Sequence, residues 1–138
     1  LASKVCPPFD STPWVKGPPL RERRVAVITT SGIHPPGQPT FKFRESSYRV
    51  IPGDTTGKDL VMSHMSVNYD RTGFHVNVVF PIDRLREMEE AGEIGSLADF
   101  HYSFMGAAGG PEAYEKSAKE VAGLLKDDQV NAVLFSPV

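Results

Sequence analysis

The residues of this 138-residue sequence best suited to move a proton or attack a bond are four histidines, one cysteine and a scatter of hydroxyl and carboxylate groups. His34 stands two residues past Gly32, in a turn that follows an apolar run. A side chain there can project over the end of a strand and act as acid, base or hydrogen-bond donor. A loop histidine bonded to a nearby carbonyl is the plainer reading. Thr29, Thr30, Ser31 and Gly32 could cradle a carboxylate with their hydroxyls and turn amides. Ser63 and His64 are followed closely by Asn68, Tyr69, Asp70 and Arg71; irregular loops are polar in any case. His75 and His101 have no partner at metal-ligand spacing and no HExxH helix occurs, so both read as structural or surface residues and no metal site is expected. Asp83 with Arg84 and Arg86 could hold an anion, but helix capping and surface charge explain them more simply. Gly106 to Gly110 ahead of Pro111 is neither GxGxxG nor a P-loop, and reads as a hinge. Cys6 is the single cysteine, which excludes an internal disulfide, a CxxC pair and a cysteine zinc site. No base is expected beside it, so it reads as an unreactive thiol.

The elements that must position these groups follow from composition and pattern. Fifteen Lys and Arg against seventeen Asp and Glu give a net charge of −2, and 40% hydrophobic with 23% charged residues is an ordinary globular mix. One domain is expected, with no electrostatic footprint for nucleic acid or an anionic membrane. No run reaches the length of a membrane span and no signal-peptide pattern opens the sequence, so the expected location is the cytoplasm. Eight of the twelve prolines lie in the first 39 positions, where they oppose helices and inner strands. Residues 1–23 therefore read as an apolar arm carrying Val5, Phe9, Trp14 and Leu20, and residues 24–138 as the domain.

Val25 to Thr30 is a continuously apolar, β-branched run closed by Ser31-Gly32, the pattern of a strand buried on both faces. A long irregular excursion follows to about Val76, with short strands expected at Tyr48 to Ile51 and Leu60 to Met62. Order returns at Val76 to Phe80. Pro81 then opens a helix that ends at Gly92 and buries Ile82, Leu85 and Met88. A strand is expected from Asp99 to Gly106, a second helix from Pro111 with Tyr114, Ala118, Val121, Ala122 and Leu125 as its apolar stripe, and a last buried strand from Val130 to Phe135. This order implies a three-layer α/β/α domain with a mostly parallel sheet, and a truncated sheet is among the expectations. Ligands of such sheets bind beyond the carboxyl ends of the strands.

The ordered succession Arg24 to His34, Gly37-Gln38-Pro39, Ile51-Pro52-Gly53-Asp54, Ser63-His64, Tyr69-Asp70, Asn77 to Leu85 and Ser103 to Gly106 resembles the selenoprotein B family of glycine, sarcosine, betaine and D-proline reductases. The likeness covers nearly the whole chain, and its compactness is closer to the D-proline type. It departs at Gly106 to Gly110, where small residues replace a bulkier loop. The resemblance implies a subunit of a complex that reductively cleaves the C–N bond of a small amino acid or amine. It also implies a selenocysteine, or a cysteine, just beyond Val138, a pyruvoyl group in a partner subunit, and electrons from dithiols. No cofactor is expected within the 138 residues themselves, and the isolated chain is expected to be inactive. Other reductase subunits and a small amino-acid or amine substrate are the implied partners, in an oligomer. His34 and His64 become candidates for proton transfer or orientation, and Thr30, Ser31 and Asp70 candidates for substrate contact. The competing expectation is a noncatalytic α/β binding or assembly module; a self-contained racemase or hydrolase ranks below both, since no paired nucleophile and base is visible.

Overall fold

A computed structural model describes residues 15–64, 76–106 and 109–138. Its centre is β1, Arg24–Thr29, whose residues from Val25 onward are all buried. Burying each aliphatic side chain of such a strand contributes about 1.5–3 kcal/mol. On one side β1 pairs in parallel with β7, Ala132–Ser136. On the other side it pairs in parallel first with β5, Ser96–Leu97, and then with β6, Phe100–Phe104. The edge beyond β6 is β3, Tyr48–Pro52, which runs antiparallel to it. The sheet is thus mostly parallel, and its one antiparallel edge strand comes from inside the excursion.

Alternate residues of β1 feed two cores. Val25 and Val27 pack with Ile51, Phe80, Ile94 and Leu97 under helix α1, Ile82–Glu90, which contributes Ile82 and Leu85. Ile28 packs on the opposite face with Tyr102, Phe104 and Val121, the last from helix α2, Glu115–Asp127. Helices on opposite faces make the three-layer α/β arrangement that the pattern implies. A second small sheet joins β2, Ile33–His34, to β4, Val61–Met62, in antiparallel fashion.

The helix starts follow their local chemistry. Pro81 caps α1, and Gly92 at φ 71° closes it. Asp83 is architectural: its carboxylate accepts from the Asn77 side-chain amide at 2.6 Å and from the Gly57 amide at 3.2 Å. Arg86 donates to the carbonyls of Gly53 and Thr55, so this first turn anchors the excursion to the helix. Pro111 opens a 3-10 turn, Pro111–Tyr114, before α2 begins.

Two elements differ from the pattern-based reading. The apolar run at Val76 forms a 3-10 turn over Val76–Val78, and Val79 and Phe80 drop into the core. The last strand forms, yet it is not buried: Leu134 is 39% and Phe135 68% exposed. Among the described residues β7 has a neighbour only on its β1 side, so an inner-strand sequence occupies an edge. Among the described residues no helix is long and apolar enough to cross a membrane. Arg23 ties the end of the arm down by donating to the carbonyls of Pro18 and Asn131. Val5, Cys6, Phe9 and Trp14 lie outside the described residues.

Candidate functional site

Parallel pairing in register, from Val25 opposite Ala132 to Thr29 opposite Ser136, brings the carboxyl ends of β1 and β7 together. The Thr30 amide donates to the Ser136 carbonyl at 3.2 Å, and the Val138 amide donates to the Thr30 hydroxyl at 2.9 Å. That hydroxyl also lies 3.4 Å from the Val138 carbonyl. At the end of β6, Gly106 takes φ 79°, and a Cβ there would stand 2.9 Å from the Thr30 carbonyl. Only glycine combines that φ with that approach, so the glycine is where two strand ends meet closely. Thr30 therefore joins the edge where α/β sheets bind ligands.

His34 emerges on the same side of the sheet after Gly32, which takes φ 64° and donates its amide to the Phe104 carbonyl at 2.9 Å. The histidine lies in β2 and is 2% exposed. Its Nδ1 is 2.9 Å from the Pro35 carbonyl and its Nε2 is 2.7 Å from the Ser63 hydroxyl. The plainer expectation is observed, because the ring bonds a nearby carbonyl, and its second nitrogen also engages a hydroxyl. The Ser63 amide donates to the Gly32 carbonyl at 2.9 Å, so the pair is held by backbone as well as by side chains. The Phe41 ring meets the imidazole edge-on at 6.3 Å.

The other candidates are placed differently. His64 is half-buried with its backbone against Gly32, where a Cβ would come within 3.2 Å of its amide nitrogen. Ser31 is fully buried, and its hydroxyl accepts from Thr29 at 2.9 Å. Asp70 and its neighbours Asn68, Tyr69 and Arg71, along with His75, lie outside the described residues. The structure thus brings Thr30, His34, Ser63 and the backbone of His64 to one end of the fold, while Ser31 turns into the interior. Among the described residues no group of His, Cys, Asp and Glu could hold a metal ion.

Pattern reading missed the pairing of Ser63 with His34. It depends on a two-residue ladder between segments 29 positions apart, too short to leave a periodic signal. It also missed an apolar groove of about 360 Å³ between α2 and the sheet, lined by Ile28, Phe104, Ala118, Val121, Val133 and Phe135 and reaching Thr30.

Two charged or titratable groups away from the carboxyl edge serve the scaffold. His101 is buried on β6, and its Nδ1 accepts from the Val27 amide at 3.1 Å. Burial pushes its pKa down to about 4, so the ring is neutral. Arg24 binds Asp128 and, at 2.8 Å, Asp99, which joins the start of β1 to the end of α2. The hydrogen bond to Asp128 raises the guanidinium pKa further.

The profile of the glycine/sarcosine/betaine reductase selenoprotein B family matches residues 7–137. The D-proline reductase subunit gamma of Acetoanaerobium sticklandii is 34% identical over 134 residues, covering 96% of this chain and 54% of that protein. The glycine reductase complex component B subunit gamma of Symbiobacterium thermophilum is 28% identical, over 94% of this chain and 32% of its own length. The betaine reductase complex component B subunit beta of Peptoclostridium acidaminophilum is 29% identical, over 85% and 28%. The chain therefore spans about half the length of the first of these relatives and about a third of the others. No solved structure matches it.

Proposed function

The chain belongs to the glycine/sarcosine/betaine reductase selenoprotein B family, and from that premise we propose that it forms part of a subunit of a multi-subunit reductase that cleaves the C–N bond of a small amino acid or amine. The observation that carries this reading is the placement of Thr30 at the carboxyl ends of β1 and β7, where its hydroxyl holds Val138, with the His34 and Ser63 pair set just after the same strand. In this reading the nucleophile is a selenocysteine or cysteine following Val138, and a pyruvoyl group of a partner subunit holds the substrate. A selenolate supplies a nucleophile ionised at neutral pH, where an ordinary thiol of pKa about 8.5 is mostly protonated.

The chain's own residues supply the surroundings. Thr30 fixes the backbone at Val138 through one accepted and one donated bond. This sets the direction in which the next residue leaves the sheet. His34 presents Nε2 to a hydroxyl and is otherwise enclosed, so it can take or return a proton without competing with bulk water. His64 and Asp70 are proposed as orienting and substrate-contacting groups of the same edge, and Ser31 as a support of it. Dithiols provide the two electrons for the cleavage, and the leaving nitrogen takes up a proton. The assembly works in the cytoplasm as an oligomer with the other reductase subunits.

The test is His34→Ala in the complete, selenium-containing complex. Turnover falls by a factor of about 10²–10⁴, the ordinary contribution of a positioned acid or base; unchanged turnover removes the proposed role. A second reading, a noncatalytic assembly module, is favoured by the open β7 edge with Leu134 and Phe135 exposed. The coding sequence after Val138 separates the two. An in-frame UGA or cysteine codon within a continuing frame supports the reductase, and an ordinary stop supports the module.

A further inference from the structure

We propose that Ser63 is a positioning residue for His34: its hydroxyl holds Nε2 of an imidazole whose tautomer the Pro35 carbonyl sets, and is the port through which the buried ring exchanges its proton. A carbonyl oxygen only accepts hydrogen bonds, so the 2.9 Å contact with Pro35 requires the proton on Nδ1. In the neutral ring Nε2 then carries a lone pair, and the group 2.7 Å from it is the Ser63 hydroxyl, which must be donating. When His34 takes up a proton, Nε2 becomes a donor. The same hydroxyl can then accept without moving, because a serine oxygen offers both functions.

Burial gives the contact its direction. His34 is 2% exposed, whereas Ser63 is half-buried, so the partner of Nε2 is the more accessible member of the pair. The seat is firm on every described side. Ile33 pairs with Met62 and His34 with Val61, the Ser63 amide is bonded to the Gly32 carbonyl, and the Phe41 ring lies edge-on against the imidazole. A ring so held cannot turn to find another partner if the hydroxyl is removed. It keeps the Pro35 bond and loses the path for its proton.

The kinetic part of this inference rests on the reductase reading, while the structural part does not, and the experiment separates them. The full-length subunit is labelled with nitrogen-15 in its histidines, free and in the assembled complex, as wild type, Ser63→Ala and Ser63→Thr. In the wild type His34 is expected to show a protonated Nδ1 and an unprotonated Nε2. In Ser63→Ala the Nε2 resonance shifts and the turnover number falls at least tenfold while KM changes less than twofold; Ser63→Thr, which keeps the hydroxyl, restores both. A wild-type ring protonated on Nε2, or a Ser63→Ala resonance unmoved from wild type, overturns the assignment. A shifted resonance with unchanged turnover overturns the port and leaves a structural serine. A wild-type complex with no reductive cleavage at all defeats the reductase reading instead, and the nitrogen resonances of the free subunit still decide what Ser63 does. Should Ser63→Ala fail to fold, Ser63→Thr and Ser63→Cys carry the comparison, with cysteine expected to weaken the Nε2 contact and threonine to preserve it.

Discussion

A histidine's role in this molecule depends on what each ring nitrogen meets. His34 has an acceptor on one side and a hydroxyl on the other, which suits transfer of a proton. His101 has one bonded nitrogen inside the sheet, and its Nε2 has no partner among the described residues, which suits staying neutral. Burial holds His101 at about 4 against an ordinary 6.5. Between those values the unfolded chain binds the proton and the folded chain does not, so its stabilising effect is complete above pH 6.5. It fades as pH falls towards 4, by on the order of 3 kcal/mol. Urea unfolding followed from pH 7 to 4 should show that slope. In His101→Phe the slope should flatten, while stability at pH 7 drops by about 1–3 kcal/mol as the Val27 amide loses its acceptor. Glu45 responds lower on the scale. Burial pushes its carboxyl up, but bonds from Ser47, the Lys42 amide and Arg49 outweigh this and hold it at about 2. Its contribution is present above the unfolded value near 4.5 and is lost as pH falls through 2.

At the level of elements, short irregular pieces do as much positioning as the regular ones. β2 and β4 contribute two residues each, and they set the His34 and Ser63 contact. The end of α2 is tied to the sheet by Asp128, which binds Arg24 through one oxygen and accepts from the Asp99 amide at 2.7 Å through the other. Both members of this ion pair are largely covered, with side-chain exposures of 24% and 10%. Asp128→Ala would take the better-covered carboxylate from the Arg24 guanidinium, which keeps Asp99 and the Leu97 carbonyl, and would leave the Asp99 amide without its acceptor. The expected cost is about 2–3 kcal/mol in urea unfolding, with a smaller cost for Asp128→Asn, which keeps an acceptor. A loss under 0.5 kcal/mol would show that Arg24 finds compensation in Asp99 and the Leu97 carbonyl.

At the scale of the molecule, the sheet among the described residues is closed at β3 and open at β7. The Gln38 side-chain amide donates to the Val50 carbonyl on the β3 edge, and Arg49 staples the surrounding loop to the carbonyls of Pro39 and Thr40. β7 instead presents Leu134 on one face, Phe135 on the other and a ladder without a partner among the described residues. An uncharged apolar edge invites pairing. The 138-residue chain should therefore associate as its concentration rises, as light scattering would show. The double variant Leu134→Lys with Phe135→Glu should remain monomeric over the same range. Equal association of the two would place the contact elsewhere.

The sequence by itself determined the first buried strand, both helices with the residues Ile82, Leu85 and Val121 that they bury, the α/β class and the family, because each of these is written in local periodicity or in an ordered succession of motifs; Ala118 and Ala122, read as part of the second stripe, are exposed. Arg24 to Thr29 announces an inner strand, and Ile82, Leu85 and Val121 announce the faces that cover it. Tertiary structure alone decided that β7 lies at an edge, that β3 runs antiparallel, that Ser31 faces inward while Thr30 faces Val138, and that Ser63 belongs to His34. Those outcomes rest on contacts between segments far apart in the chain, and neither the register of a two-residue ladder nor the position of a strand within the sheet order leaves a trace in the composition of either partner.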